Sequence, residues 1–346
     1  MSPPPGGTAR SAKGAPMTRL RWPLLAVALV MLGYAAWYRE PPPPSLAGVG
    51  VVMVFDITQS MLVEDVQVGG RATTRLDLAK RAALQAIDSL PCGVSVGAGV
   101  FAQHRTLLLY APVEICDNRA EILHSINRVG IDMAWNGNSE VAKAYYASLG
   151  LAHALPGRPA VVFLTDGHEA PPINPRHRPS FQGEAGEVSA ALVGIGGALP
   201  VPIPKRDPSG RALGYWKPDE VMQVDPFSRS RSAGSKDMMV QGEAASENDL
   251  RAAGTPGTEH LSSLRSDYLQ LLAAETGATY RTLRTEYELP VVLNDLLSVS
   301  LQGVPPSARR LAAITALAAA AAFYCLAFLP SLRLRGRPGP RGPDAS

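Results

Sequence analysis

Residues 49–61 read VGVVMVFDITQSM. From Val49 to Phe55 the run is apolar and rich in β-branched residues, without polar alternation, which is the pattern of a central strand covered on both faces. It stops at Asp56. Downstream, the apolar positions Leu76, Ala79, Ala83, Leu84, Ile87 and Leu90 recur at helical spacing from Arg75 onward, and Pro91 ends that helix. Val94 to Ala102 and Thr106 to Val113 predict two strands joined by a short turn near residues 103–105. Asp117 is placed to cap a helix running to about Val129, and Ser139 to Leu149 predicts another. Ala160 to Thr165 is a second buried strand, ending in Asp166-Gly167, and after a proline-rich loop over 168–187 Val188 to Ile195 is a third. Helices over about 258–276 and 288–300 close the pattern. Strands alternating with helices around buried runs predict an α/β fold: a doubly wound, mostly parallel sheet with one antiparallel edge hairpin.

The domain so outlined covers 46–303 and is interrupted over 198–257, where Pro, Gly, Ser and charge replace the periodic pattern. Residues 200–225 read as an ordered β excursion and 226–257 as a mobile loop. The charge arithmetic separates this domain from its flanks. Residues 40–308 hold 22 Lys and Arg against 29 Asp and Glu, or −7, and the flanks supply the +10 that brings the 346-residue chain to +3. Basic charge confined to tails beside apolar runs argues against a nucleic-acid partner.

Those runs are Trp22 to Tyr38, seventeen residues, and Leu311 to Leu329, nineteen, both uncharged. The first is barely long enough to cross a bilayer and the second makes ~28 Å of helix. Arg10, Lys13, Arg19 and Arg21 precede the first, and Arg333, Arg335, Arg337 and Arg341 follow the second. Positive flanks stay in the cytoplasm, so two transmembrane helices (22–38 and 311–329) with cytoplasmic basic tails (1–21 and 330–346) put the domain in the bacterial periplasm, anchored to the inner membrane. The alternative for the first run is a cleaved leader, for which Ala35 and Ala36 offer small residues without an A-x-A site; the domain is exported either way.

Ligands in doubly wound sheets collect at the carboxyl ends of the strands. There the sequence supplies Asp56, Thr58 and Ser60 after the first strand, Ser139 at the expected start of a helix, and Asp166 after the Ala160 strand. Two carboxylates and three hydroxyls form an all-oxygen set suited to a hard divalent cation, Mg²⁺ first, with Mn²⁺ or Ca²⁺ as alternatives. Asp-x-Thr-x-Ser alone is weak, because the same residues serve as ordinary helix caps. Its weight comes from the placement of Ser139 and Asp166.

These residues resemble the von Willebrand factor A (VWA) domain, whose metal-ion-dependent adhesion site (MIDAS) reads Asp-x-Ser-x-Ser, then Thr, then Asp. Thr58 stands for the usual Ser and Ser139 for the usual Thr, so each hydroxyl survives. The stretch YLQLLAAETGATY at 268–280 is similar to the last helix and strand of bacterial membrane-anchored VWA proteins. The strings VFDITQSM at 54–61, SLPCGVSVGAGVF at 89–101, VVFLTDGHEAPP at 161–172 and IPKRDPSGRALGYW at 203–216 resemble the VWA proteins encoded beside periplasmic methanol dehydrogenase. That resemblance implies a non-enzymatic accessory factor in maturation or metal insertion of methanol dehydrogenase. Its partner, the dehydrogenase or a maturation factor, would supply a carboxylate to the metal.

Two rival readings come from other classes. A metal-dependent hydrolase would use Asp166, His168 and Glu169, although His-Glu in a Gly/Pro loop is ordinarily solvated and the prolines at 171–172 forbid an H-E-x-x-H helix. A cell-envelope adhesin would have to project past the cell surface, which two inner-membrane anchors oppose. Lys205, Arg206 and Asp207 could make a docking patch, but read first as a solvated turn. Three cysteines occur, at 92, 116 and 325. If the hairpin turns about His104, paired positions sum to 208, which places Cys92 opposite Cys116 and predicts a disulfide in an oxidising compartment, with Cys325 left in the second span.

Overall fold

The computed structural model describes residues 21–38, 48–174, 178–207, 209–223, 257–301 and 308–334. The chain divides into two units, residues 42–302 and residues 1–41 with 303–346.

The larger unit is built on a six-stranded sheet. Its strands are β1 (Gly50–Asp56), β4 (Ser95–Ala102), β5 (Arg105–Glu114), β6 (Ala160–Thr165), β7 (Ala190–Ile195) and β12 (Thr279–Leu283), in the order β12-β7-β6-β1-β4-β5. All neighbours are parallel except the β4–β5 edge hairpin. The α/β, doubly wound expectation holds. β1 is central because every residue in it is buried, and its period of two feeds both cores. Val51, Met53 and Phe55 face helices α2 (Arg75–Ser89), α3 (Arg119–Arg128) and α6 (Leu289–Leu301). Val52 and Val54 face α4 (Val141–Ala154) and α5 (Ser266–Thr276).

The hairpin corrects one step of the sequence reasoning. No single register sum applies: Ala102 pairs with Arg105 and Phe101 with Thr106, a sum of 207, whereas Ser95 pairs with Glu114, a sum of 209. The turn is centred between Gln103 and His104, with Gln103 at φ 59°, and irregularities at Val96/Ala98 and Ala98/Gly99 shift the ladder. Cys92 and Cys116 lie beyond the strand ends and are nevertheless bonded, with Cα atoms 5.3 Å apart. Glu114 ties the two ends together by accepting from the backbone N–H of Gly93 at 2.6 Å and of Asp117 at 2.7 Å. Asp117 therefore does not cap α3; the preceding residue is Asn118, and its side chain makes no capping bond.

Residues 258–265 are not helical. β11 (Leu261–Ser262) pairs with β8 (Val201–Pro202), and the backbone N–H groups of Leu264 and Arg265 donate to the carbonyls of Gly197 and Asp166. Long-range pairing overrides the helical period here. The insertion is ordered as expected through its first part: β9 (Pro204–Arg206) and β10 (Ala212–Tyr215) form a second hairpin. The expected mobile loop, apart from Gly257, lies outside the described residues. A short hairpin of β2 (Val66–Val68) and β3 (Arg71–Thr73) precedes α2 and has no counterpart in the sequence reading.

In the smaller unit, α1 (Arg21–Trp37) and α7 (Ala308–Leu334) pack together, with the Arg21 guanidinium 5.1 Å from the Phe323 ring centre. Among the residues whose burial is described, the buried ones are alanines: Ala28 and Ala35 on one helix, Ala312, Ala316 and Ala319 on the other. Leu29, Val30, Leu32, Ile314 and Leu317 are exposed. Small residues inside and large apolar residues outside is the arrangement of helices paired in lipid. Only one described helix, over Ala308–Leu326, is long and apolar enough to cross a membrane. Of the two expected spans, the second meets that length and composition; the 17 described residues of α1 make ~26 Å of helix against a ~30 Å hydrocarbon core.

Candidate metal centre

Parallel strands deliver their carboxyl ends to one rim, and β1 ends there in Asp56, fully buried. The chain then turns through a 3-10 segment, Gln59–Leu62. Asp56 Oδ1 accepts from the Thr58 backbone N–H at 2.9 Å and from Thr58 Oγ1 at 2.7 Å, and Thr58 Oγ1 lies 3.1 Å from Ser60 Oγ. The alternate spacing thus works as a self-organised oxygen cluster rather than a helix cap: Thr58 makes no capping bond to the turn that follows.

Ser139 arrives by a route the sequence did not disclose. It lies before α4, not in its first turn, and is extended. Its N–H and C=O both pair with Ala170 at 2.7 Å, while Gln103 N–H donates to Asn138 and Glu140 N–H donates to Gln103. Gln103 follows β4 and Ala170 follows β6, the two neighbours of β1. The bridge therefore carries Ser139 across the end of β1. Its hydroxyl is buried and has no hydrogen-bond partner among the described residues. A buried hydroxyl without a partner costs roughly 1–3 kcal/mol, a cost that an external group binding this oxygen would offset.

Asp166 follows β6. Its neighbour Thr165 donates to Asp56 Oδ2 at 2.6 Å and accepts from Gly167 N–H at 3.0 Å, linking the two carboxylate loops. Gly167 has φ 79°, which strains any side chain, and a Cβ there would crowd Leu269 at 3.1 Å. Asp166 Oδ1 accepts from His168 N–H at 2.9 Å; Oδ2 accepts from Ser262 Oγ at 2.9 Å and from Arg75 Nη1 at 2.5 Å.

Arg75 is the residue that sequence reasoning missed. Its fully buried guanidinium also binds both oxygens of Asp65, at 2.9 and 2.7 Å, and Ser262 Oγ at 2.6 Å. Gly196 makes room for it, since a Cβ there would fall 2.7 Å from Arg75 Nε. A signal was present: Arg75 opens a helix, where the macrodipole favours anions, and a cation in that position requires a compensating acid. The Leu261–Ser262 pairing that brings Ser262 to it was masked by the expected helix.

Electrostatics divide the two carboxylates. Burial, then the facing Asp166, pushes Asp56 up to about 7. Burial would raise Asp166 as well, but Arg75 and then His168 hold it below the usual carboxylate range. With Asp56, Asp65, Asp166 and Arg75 ionised, the buried group carries −2, the charge a divalent cation cancels. The donor set fits such an ion: Asp56, Thr58, Ser60 and Ser139 would hold it, with Asp166 adding charge through a carboxylate already tethered to Arg75. The ion would supply a Lewis-acidic position for an outside oxygen ligand.

His168 and Glu169 are buried, contrary to the expectation of a solvated pair. Glu169 Oε1 accepts from Tyr268 Oη at 2.5 Å and from Ala142 N–H at 3.0 Å, which docks the loop onto α5 and α4. Burial pushes Glu169 up to about 7 and, followed by the Arg265 charge, His168 down to about 4. Of the expected solvated turn at 205–207, Asp207 does turn, accepting from Ser209 and Arg211, but Lys205 and Arg206 belong to β9, where Lys205 pairs with Glu220 and the Arg206 backbone bonds Gln59.

Fold and site together define a doubly wound α/β domain with an oxygen cluster at its strand-end rim, carried on a chain that also bears apolar helices. No protein-family model and no curated protein matches the chain. Solved structures similar to it include BatB from Bacteroides thetaiotaomicron (17% identity over 74% of this chain and 100% of that one, TM-score 0.46). An aerotolerance-related membrane protein from Bacteroides fragilis is 16% identical over 72% of this chain and 99% of that one, with TM-score 0.45. A von Willebrand factor type A protein from Catenulispora acidiphila is 15% identical over 74% and 43%, with TM-score 0.35. The fold assignment rests on the strand order and register above, not on these likenesses.

Proposed function

We propose that this chain is a membrane-anchored, VWA-type binding module that grips a partner protein's carboxylate through a divalent ion held by Asp56, Thr58, Ser60, Ser139 and Asp166. The observation that carries the reading is the Ser139 hydroxyl, buried and without a partner among the described residues, on a bridge between the segments that follow β4 and β6, the two neighbours of β1, which itself ends in the buried Asp56 carboxyl. Binding is favoured over hydrolysis because Glu169, the general base a hydrolase would need, is committed to Tyr268 and Ala142. The domain is read as periplasmic and tethered to the inner membrane by α7, with α1 beside it. The partner class follows from the resemblance of residues 54–61, 89–101 and 161–172: methanol dehydrogenase or one of its maturation factors, with this protein assisting metal insertion.

Calorimetry with Mg²⁺ or Mn²⁺ tests the ion; unchanged affinity in Asp56→Ala rejects the assignment. Deletion of the gene in a methanol-grown host tests the partner. The dehydrogenase polypeptide should persist but lack calcium and activity, and full calcium occupancy rejects that role.

A further inference from the structure

Within Asp-x-Thr-x-Ser the side chains of Thr58 and Ser60 turn inward and are buried, whereas the intervening Gln59 is half-exposed. Its amide is not idle. Gln59 Oε1 accepts from the Arg206 backbone N–H and from the Trp216 indole Nε1–H, both at 3.1 Å, and Gln59 Nε2 donates to the Arg206 carbonyl at 3.4 Å. These bonds span about 150 residues of sequence and join the metal loop to the β9–β10 hairpin. Lys205 lies 4.5 Å from the Trp216 ring centre and pairs with Glu220 at 2.7 Å, so the indole is held from both sides. A second attachment runs through β8, whose partner β11 supplies Ser262 to Arg75 and Asp166. The insertion is therefore fastened to the two carboxylate loops separately, at Gln59 and at Ser262.

We infer that Gln59 is a positioning residue that locks the hairpin of β9 and β10 onto the metal loop, so that ion binding and hairpin position are coupled. The physical reason is the length of the link. Gln59 is covalently next to two hydroxyl ligands, so a shift that closes Thr58 and Ser60 on an ion moves its amide, and three hydrogen bonds pass that shift to Arg206 and Trp216. The coupling is reciprocal: a group that fixes the hairpin also tightens the ion. This inference deepens the metal reading and rests on it for the ion-dependent part.

The test uses the full-length chain in detergent micelles, labelled with 5-fluorotryptophan; four tryptophans give four ¹⁹F resonances, and Trp216→Phe assigns the one in question. Mg²⁺ should shift the Trp216 resonance in the wild type. At saturating Mg²⁺ the shift should vanish in Gln59→Ala, whose calorimetric Mg²⁺ affinity should fall by about fivefold or more, and Gln59→Glu, which keeps the acceptor for Arg206 and Trp216, should restore most of the shift. Independently of metal, Gln59→Ala should speed amide exchange over 204–206 and 212–216 by at least tenfold without altering β1 or β6. Unchanged hairpin exchange in Gln59→Ala overturns the clamp, and a wild type that binds Mg²⁺ with an unmoved Trp216 resonance overturns the coupling. Absence of any Mg²⁺ binding heat in the wild type instead overturns the metal reading and the coupling with it, leaving the exchange measurement to decide the clamp alone.

Discussion

Replacing Asp56 by Asn should stabilise the metal-free protein while abolishing its response to Mg²⁺. Asn is close in shape to the protonated acid, its Oδ1 can still accept from Thr58, and Thr165 Oγ1 can turn from donating to accepting. What the substitution removes is a charge buried opposite Asp166. Raising a carboxyl from 3.8 to about 7 costs the folded, ionised state on the order of 4 kcal/mol, at about 1.4 kcal/mol per pH unit. The folded value is raised, so the native state holds its proton more tightly, and stability conferred by that proton is complete below pH 4 and is lost as pH rises to about 7. The assay is urea unfolding of wild type and variant in EDTA at pH 3.5 and pH 8. The variant should gain on the wild type by ~4 kcal/mol between these limits, on the order of 10 °C in Tm for a domain of this size. Adding Mg²⁺ at a hundred times its dissociation constant should return ~2.7 kcal/mol to the wild type alone. Parallel pH profiles in EDTA, or equal stabilisation of both proteins by Mg²⁺, would refute the argument that an uncompensated carboxylate waits for an ion.

Glu169→Gln should show the same sign through a different carboxyl: with Glu169 raised from 4.5 to about 7 by burial, the variant should gain on the wild type by ~3 kcal/mol between pH 4.5 and pH 8, and a pH-independent difference in urea unfolding would contradict this. Reducing Cys92–Cys116, 24 residues apart, releases a loop whose closure is worth ~3 kcal/mol, so dithiothreitol should lower Tm by several degrees, and recovery of both cysteines alkylated without reductant would contradict the bond. Alkaline phosphatase fused after residue 300 should be active and fused after residue 346 inactive; the reverse would overturn the topology.

What the sequence by itself determined is what is encoded locally. The apolar, β-branched run from Val49 to Phe55 that stops at Asp56 reads as a central strand, and the same reasoning located β6 and Asp166, because in a parallel sheet the residue after each buried run emerges at the common rim. Asp56, Thr58 and Ser60 are hydrogen-bonded to one another within five residues of sequence, so their proximity was legible in the spacing, while their weight as a site came from the placement of Ser139 and Asp166. The disulfide was legible because Cys92 and Cys116 flank the open end of one hairpin, although the uniform register used to place them does not exist: the pairing sum drifts from 207 at the turn to 209 at Ser95 and Glu114. Tertiary structure decided everything that depends on residues far apart in sequence. Ser139 reaches the site by a bridge to Gln103 and Ala170, not by opening a helix; Ser262 reaches Arg75 because β11 pairs with an insertion strand sixty residues earlier; and Gln59 finds Arg206 and Trp216 across the rim. Periodicity registers which face of an element is buried, but not which distant polar group lies against it. Burial then completes the chemistry: only inside the closed fold does Arg75 neutralise Asp166 and leave Asp56 to carry the charge that an ion would meet.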